Sequence, residues 1–565
     1  MQLKIDAEFP RFTQSMLETL YPHYLAPTPS MAVVEVRPDL TQKAIDAGYV
    51  LPRGTVLRSQ TGKGEMTPCK YLTAHDLTLL PITISAAAYH GRDVATLRLP
   101  RHVEAKAAIR VTLECAAGRA FKDLEFDDVV LYIRGGELAM SVYEQFFARC
   151  NHVVARPGGG RTSGQVVLDA RENLTPVGYR DDEALLPHSL RSFRGYRLLS
   201  EYFTLPERFM FAKISGLAEA ASRCAGGQLE IIMALEEGEP ELESAVDETL
   251  FALHCTPAIN LFPHRADRIN VTDRHAEIEI VPDRTRPLDF EVYRLTNVAG
   301  LIAGRDDERQ FRPFYSATDL DAETGEGAGY YVVNRVPRAA SEKTKKRGSR
   351  SSYVGSQVFV SFVDPKAAPY DEDLKQLSIE ALCTNRDLPL QMPVGRGKSD
   401  FTLEVAAPVT EIKCIAGPTA PMASVAEGEF SWRLISHLSL NYLSLIGDES
   451  GEGALRLRDL LRLYANLSSP DVRKQIDGLI DVSSKPLMRR VAANGPISFA
   501  RGLEVALTFD ESAFEGTGVF VLGGVLAKFF SKYVSINSFT ETVIKTAKRG
   551  EIMRWRPQVG QRHIL

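Results

Sequence analysis

The helical pattern between Trp432 and Leu445 constrains the fold of this chain more than any other segment. Apolar side chains at positions 434, 438, 442 and 445 recur in steps of four, four and three, which places them on one face of a helix. Glycines at 447, 451 and 453 end this helix, and a second helical pattern follows over Leu455–Tyr464. We therefore predict a pair of helices joined by a Gly-rich turn, packed in a domain core or at an interface.

Most of the remaining chain carries strand patterns. Alternating and β-branched segments predict strands over Met31–Val36, Val129–Ile133, Leu229–Leu235, Gln357–Val363 and Ser378–Thr384. A helix is predicted over Leu138–Asn151 and another over Gly518–Val534, and Thr540–Ile544 is expected to pair with Ile552–Trp555 across a turn at 548–550. These patterns predict an α+β, multi-domain, β-rich protein with helical segments and a small C-terminal α+β unit.

A chain of 565 residues is too long for a single core, so we predict several units. The expected division is a short helical arm over 1–30, a first β-rich α+β domain over 31–260, and a second β-rich domain over 261–420 with a mobile basic loop over 335–350. The last unit, over 421–565, holds the helical pair and the C-terminal α+β unit.

Composition excludes several classes of protein. A net charge of −5 argues against nucleic acid as the main partner. The seven cysteines are scattered and form no Cys-x-x-Cys pair, which excludes a conventional zinc cluster and favours a reducing compartment. Neither a signal-peptide core nor an apolar run long enough to span a bilayer is present, so we expect a cytoplasmic protein without direct membrane insertion.

Two segments resemble nucleotide-binding motifs but lack a glycine that each motif requires. Gly395–Ser399 resembles a phosphate loop, but the required upstream glycine is Met392. Gly516–Gly518 precedes a helix, but the third glycine of a dinucleotide turn is Val521. Because His-Glu-x-x-His and Gly-x-Ser-x-Gly are also absent, we predict no catalytic, cofactor or metal site. An enzyme would require acids and histidines clustered in one cleft.

The segment Arg335–Arg350 carries seven basic residues against one acid. It could bind a polyanion. However, it lacks interleaved aromatic residues and belongs to an acidic protein, which favours a solvated hairpin loop.

Five irregular blocks along the chain are too long to arise from composition alone. They are Glu8–Pro10 with Leu20–Leu25 and Pro29–Ala32; Val177–Tyr179 and Leu185–Pro187 with Ser192–Leu199, Glu201–Phe203 and Pro206–Glu207; Cys255–Phe262; Ala381–Pro389; and Tyr533–Phe539 with Gly550–Trp555. Together these blocks resemble the TssF (ImpG/VasA) family of the bacterial type VI secretion baseplate.

The resemblance implies a structural subunit and not an enzyme. TssF-like proteins resemble contractile-phage baseplate-wedge proteins, and two copies bind one TssG. They associate with TssK and TssE and support assembly of a contractile tail docked at the inner-membrane secretion complex. No cofactor and no nucleic acid are implied. The alternatives are a wedge protein of a related contractile injection particle, an enzyme with an unrecognised site, or a polyanion-binding module.

Interface residues are assigned from aromatic character, since aromatic anchors dominate interfaces when they are not part of a core. The candidates are Phe12, Leu20, Tyr21, Tyr24, Trp432, His437, Asn441 and Tyr442. For each of them a core position is the alternative, and for His437 a catalytic role is a further one. Family members carry some tens of mostly helical residues before the point that matches Asp6–Pro10, so we expect this chain to lack that arm.

Overall fold

The computed structural model describes most of the chain. The described residues are 14, 17–18, 22–61, 67–160, 163–188, 193–271, 277–302, 308–314, 329–338, 350–363, 374–424, 452–465, 469–491 and 498–560. The helix predicted over 432–445 lies outside them, and so do Gly447 and Gly451 of the turn that follows it, whereas Gly453 lies in the helix Glu452–Tyr464.

The described residues contain eight α-helices. In chain order they are α1 (Pro22–Leu25), α2 (Gly136–Glu144), α3 (Ala170–Asn173), α4 (Gly195–Thr204), α5 (Ala218–Ser222), α6 (Glu452–Tyr464), α7 (Pro470–Asp477) and α8 (Val519–Tyr533). Nearly every residue of α8 is buried, which is the pattern of a helix enclosed on all sides. Single 3-10 turns lie at Lys43–Ile45, Val94–Leu97, Ala116–Gly118, Phe121–Asp123, Pro206–Phe209, Pro240–Leu242, Glu248–Leu250, Leu388–Gln391 and Glu511–Phe514.

Three sheets and one small two-stranded ladder are antiparallel throughout. The first has the order Phe401–Leu403, Val56–Ser59, Lys70–Thr73, Cys255–Ile259, Met31–Pro38, Val409–Ala416. The second has the order Val166–Asp169, Cys150–Pro157, Gln228–Leu235, Ala107–Cys115, Ile82–His90. The third has the order Leu174–Val177, Phe211–Ile214, Val129–Ile133, Phe251–Ala252, and a small ladder joins Tyr49–Leu51 to Leu77–Leu79.

Two further sheets complete the described fold. One has the order Phe262–Arg265, Leu374–Thr384, Glu291–Ile302, Glu308–Pro313, Gly329–Pro337, Ser356–Val363, Ile278–Glu279, with Ile269–Asn270 added to its second strand. The C-terminal sheet has the order Leu479–Val491, Ser498–Phe509, Ser538–Thr546, Gly550–Arg554, with Gln558–Val559 added to its third strand. Its first two strands form the long C-terminal hairpin.

The largest hydrophobic core joins the middle of the chain to its C-terminal unit. This core extends in sequence from Leu17 to Ile552 and includes α4, α6 and α8. Separate cores lie under the first sheet and under the sheet that contains Glu291–Ile302. The α+β, strand-rich fold class with several sheets is therefore confirmed.

The pairing of the first sheet crosses a predicted unit boundary. Val409–Ala416 pairs with Met31–Pro38, although the sequence analysis assigned the two segments to different domains. The boundaries at 30, 260 and 420 stay predictions.

The helix predicted over Leu138–Asn151 is shorter than expected. The α-helix ends at Glu144, one π-helical turn covers Gln145–Arg149, and Asn151 lies in the strand Cys150–Pro157. A strand forms here instead of a longer helix because residues 150–157 pair along almost their full length with Gln228–Leu235. This pairing supplies backbone hydrogen bonds that a helix end would lack.

None of the helices in the described ranges is long and apolar enough to cross a membrane.

Candidate interaction sites

Of the predicted interface residues, Tyr24 is the one that falls within the described part of the chain. Its ring meets the ring of Tyr464 edge-on, with centroids 6.3 Å apart. Burial raises the pKa of Tyr24 to about 12. The contact links the start of the described chain to α6. The other candidates lie outside the described residues and stay predictions: Phe12, Leu20, Tyr21, Trp432, His437, Asn441 and Tyr442.

Aromatic rings continue from this contact into the core. Tyr464 stacks on Tyr196 of α4 with centroids 5.0 Å apart and planes 12° from parallel. Tyr196 in turn contacts Phe529 of α8, and its hydroxyl lies 3.2 Å from the hydroxyl of Tyr533. Tyr196, which belongs to one of the five blocks that resemble the family, therefore packs against both α6 and α8.

A buried ionic cluster lies beside these rings, and we define it as Asp181, Arg197, Glu201, Arg208 and Lys532. Glu201 is fully buried. Its carboxylate accepts a hydrogen bond from Arg197 and pairs with the buried Arg208. It also accepts hydrogen bonds from the backbone N–H groups of Leu185 and Leu186, at 3.0 and 2.9 Å. Arg197 and Glu201 are four residues apart in α4, so their side chains share one helix face.

Asp181 connects the cluster to the C-terminal helix. Its carboxylate accepts from Lys532 at 2.7 Å and from Arg197 at 3.0 Å. Burial alone would raise the pKa of Asp181, but the Lys532 ammonium and Arg194 hold it well below its usual range. Burial lowers the pKa of Lys532, and Asp181 opposes that effect. Because buried charges are stable only when paired, this cluster fixes α8 against the middle of the chain.

The basic segment is more ordered than the predicted loop. Arg335 lies in the strand Gly329–Pro337, and its guanidinium donates to the backbone carbonyls of Val292 and Tyr293, each at 2.8 Å. The prediction of a mobile loop starting at Arg335 was therefore wrong, because the strand pairs with Ser356–Val363 through Pro337.

At the other end of this segment, Arg350 is also engaged in the fold. It pairs with Asp289 at 2.8 Å and with Asp387 at 2.6 Å. Arg338 donates to the carbonyl of Pro287 at 2.9 Å. Residues 339–349 lie outside the described part. The described arginines therefore serve the fold and do not form a free polyanion-binding patch.

The histidines of the described ranges give no catalytic constellation. Within those ranges no group of three His, Cys, Asp or Glu residues is placed to hold a metal ion. A cavity of about 430 Å³ contains Glu35 and His254, but His254 Nε2 already accepts the backbone N–H of Leu80 at 3.2 Å. That histidine is therefore a structural acceptor and not a free base.

The end of the long C-terminal hairpin carries an exposed mixed surface, which we call the hairpin-end surface (Met488, Arg490, Phe499, Arg501). Met488 lies opposite Arg501, and Arg490 opposite Phe499, so apolar and cationic side chains alternate on one face. Met488 and Phe499 are each 62% exposed. The side chains of Arg490 and Arg501 form no hydrogen bond or ion pair with other described residues.

This face is the continuation of a core face. Val505 and Leu507 lie on the same face of the strand as Arg501, and both are fully buried. Met488 and Phe499 extend this apolar face beyond the buried core. An apolar cluster of this kind marks a protein contact more often than a free surface. This surface was not predicted from the sequence, because Leu479–Val491 contains a proline and several charged residues.

Comparison with known proteins gives one family. The family model described as "Type VI secretion system, TssF" matches residues 1–562. The type VI secretion system component TssF1 of Pseudomonas aeruginosa is 50% identical over 568 residues, which cover 100% of this chain and 90% of that protein.

Solved structures share the fold. A cryo-electron microscopy structure of the type VI secretion system TssK-TssF-TssG baseplate subcomplex contains a chain with a TM-score of 0.77 and 22% identity, over 99% of this chain and 96% of that chain. A structure of the baseplate complex from the type VI secretion system contains a chain with a TM-score of 0.60 and 19% identity, over 100% of this chain and 90% of that chain.

Proposed function

Since this chain belongs to the TssF family of type VI secretion system proteins, we propose that it is a structural subunit of the secretion baseplate that binds a TssG-like protein. The family match over residues 1–562 is the observation that carries this proposal. The fold shared with a chain of a TssK-TssF-TssG subcomplex supports it. The proposed role is non-catalytic.

The finer assembly is also part of the proposal. Two copies of the chain bind one TssG-like protein to form a wedge, and the wedge associates with TssK-like and TssE-like proteins. The wedge then docks at the inner-membrane secretion complex and supports assembly of the contractile tail. This arrangement follows from the family resemblance.

Co-expression tests the proposal directly. This chain is expressed with the TssG-like protein encoded near it, and the purified complex is weighed by light scattering. We expect a stable complex with two copies of this chain per partner. A partner that elutes alone, with this chain folded and monomeric, would contradict the proposal.

We assign the hairpin-end surface to the contact with the TssG-like partner. Arg490 and Arg501, which have no side-chain partner among the described residues, lie beside exposed apolar side chains, and this combination complements a partner surface that carries acidic and apolar side chains. A two-fold contact between copies of this chain would place like charges against each other, which disfavours self-association at this surface.

Replacing Met488 and Phe499 together by serine should weaken binding of the TssG-like protein at least about tenfold, because exposed apolar anchors contribute most of the binding energy at an interface. Affinity is measured by titration of the purified partner. The matched control replaces Val50 and Val405, which are 54% and 52% exposed elsewhere, by serine. Equal affinities for both double variants would remove this surface from the proposal and leave the subunit assignment standing.

A further inference from the structure

An open aromatic cavity lies where the C-terminal unit meets the middle of the chain. Its volume is about 330 Å³, which is within the usual range for binding pockets. Six aromatic side chains line it: Tyr143, Phe146, Phe147, Tyr179, Phe520 and Trp555. The cavity is therefore suited to a flat or branched apolar group.

Two local features shape this cavity. Gly524 lies in the middle of α8, where a Cβ atom would be 3.0 Å from the hydroxyl oxygen of Tyr179. A glycine inside a helix costs about 1 kcal/mol relative to alanine, so its place here reflects the close approach of Tyr179. The π-helical turn Gln145–Arg149 contributes Phe146 and Phe147 to the wall, and such turns are frequent at functional sites.

The charges around the cavity have one sign. Lys528, Arg171 and Arg556 line it, and no aspartate or glutamate does. Within the described ranges, the side chains of these three residues make no hydrogen bond or ion pair. Burial and the neighbouring Lys532 ammonium lower the pKa of Lys528, and the carboxylate of Glu183, which does not line the cavity, opposes that effect. A protein with a net charge of −5 thus presents a cationic, aromatic cavity without a carboxylate of its own.

We propose that this cavity binds a carboxylate adjacent to a large apolar side chain, presented by an acidic segment of another baseplate subunit. The carboxylate pairs with Lys528, Arg171 and Arg556, and the apolar side chain enters the aromatic walls. The identity of the subunit rests on the proposed function, whereas the chemistry of the ligand rests on the cavity alone.

Calorimetric titration of the full chain with capped peptides tests the chemistry. The probes are Gly-Glu-Phe-Gly, its uncharged counterpart Gly-Gln-Phe-Gly, and Gly-Glu-Ala-Gly, which lacks the aromatic ring. The first peptide should bind at least about tenfold more tightly than either counterpart, because an ion pair with a partly buried cation and an enclosed ring each contribute about that factor. Equal affinities, or no binding at millimolar concentration, would overturn the proposal.

Variants locate the site. In Lys528→Met the preference for glutamate over glutamine should fall at least about threefold, while Thr175→Trp, at the exposed mouth of the cavity, should weaken the binding of all three peptides. Lys485→Met, an exposed lysine on the C-terminal hairpin, is the matched control and should change nothing. An unchanged preference in Lys528→Met, or unchanged affinities in Thr175→Trp, would overturn the site.

The source of the carboxylate is tested separately with 3-phenylpropionate. Tighter binding of this free acid than of the glutamate peptide would assign the cavity to a small molecule and overturn the protein source. The proposed function fails differently: in that case the TssG-like protein does not associate with the wild-type chain, whatever the peptides do.

Discussion

Glu201→Gln should destabilise the fold by about 3–5 kcal/mol, the cost of breaking a buried ion pair from one side. The substitution keeps the shape of the side chain and one oxygen to accept the backbone N–H groups of Leu185 and Leu186. Its amide group, however, places N–H donors against the donors of Arg197 and Arg208. Two buried guanidinium groups then lose the carboxylate that compensated for their desolvation.

The measurement is urea denaturation of the wild type and the variant, followed by circular dichroism. Glu219→Gln is the matched control, because Glu219 of α5 and Arg223, which follows the end of α5, also form a pair four residues apart, with side chains 59% and 46% exposed. An exposed pair contributes less than about 1 kcal/mol, so the control should unfold close to the wild type. Similar losses in both variants would show that the cluster around Glu201 has no special role.

Local sequence patterns correctly predicted those helices and strands whose tertiary packing favours the same secondary structure as the pattern. The strand Val129–Ile133 matches its prediction, and α8 differs from the predicted helix by one residue at each end. The strands around residues 548–550 pair as expected. Alternation and helical periodicity are properties of short segments, so these elements were readable from the sequence alone.

The edge strand Leu479–Val491 was missed for a physical reason. It contains Pro486 and a run of basic residues, which are tolerated at the edge of a sheet but depleted in its centre. The same edge position leaves Met488 exposed beside Arg490 and Arg501. The hairpin-end surface was therefore not predicted, because interface candidates were chosen from aromatic residues in predicted helices.

The ionic cluster could not be predicted because its members are far apart in the sequence. Arg197 and Glu201 are visible as a helical pair, but Asp181 and Lys532 meet only through the packing of α8 on α4. Arg335 shows the opposite error: its basic neighbours indicated a loop, whereas its guanidinium donates to carbonyls of the strand Glu291–Ile302. The partners of such residues depend on how distant segments pack together, and this packing cannot be deduced from a single sequence.

Stability should fall steeply between pH 7 and pH 5 through histidines that are neutral when folded. Burial lowers the pKa of His254 and of His23 to about 4; burial, with Arg208 and Arg53 nearby, lowers that of His75 to about 3. The unfolded chain binds these protons from about pH 6.5 downward, and the folded chain does not. Stability is therefore lost as the pH falls, by about 2 kcal/mol per histidine at pH 5.

The test compares the change in unfolding free energy from pH 7 to pH 5 between the wild type and single variants. This difference isolates each histidine, because Glu18 acts in the opposite sense: burial raises its pKa to about 7, so it gains stability on acidification. His254→Gln keeps an acceptor for the N–H of Leu80, and its pH dependence should be smaller by about 2 kcal/mol. The exposed His102→Gln is the control. If His254→Gln and His75→Gln retained the full wild-type dependence, these histidines would not be the groups that titrate.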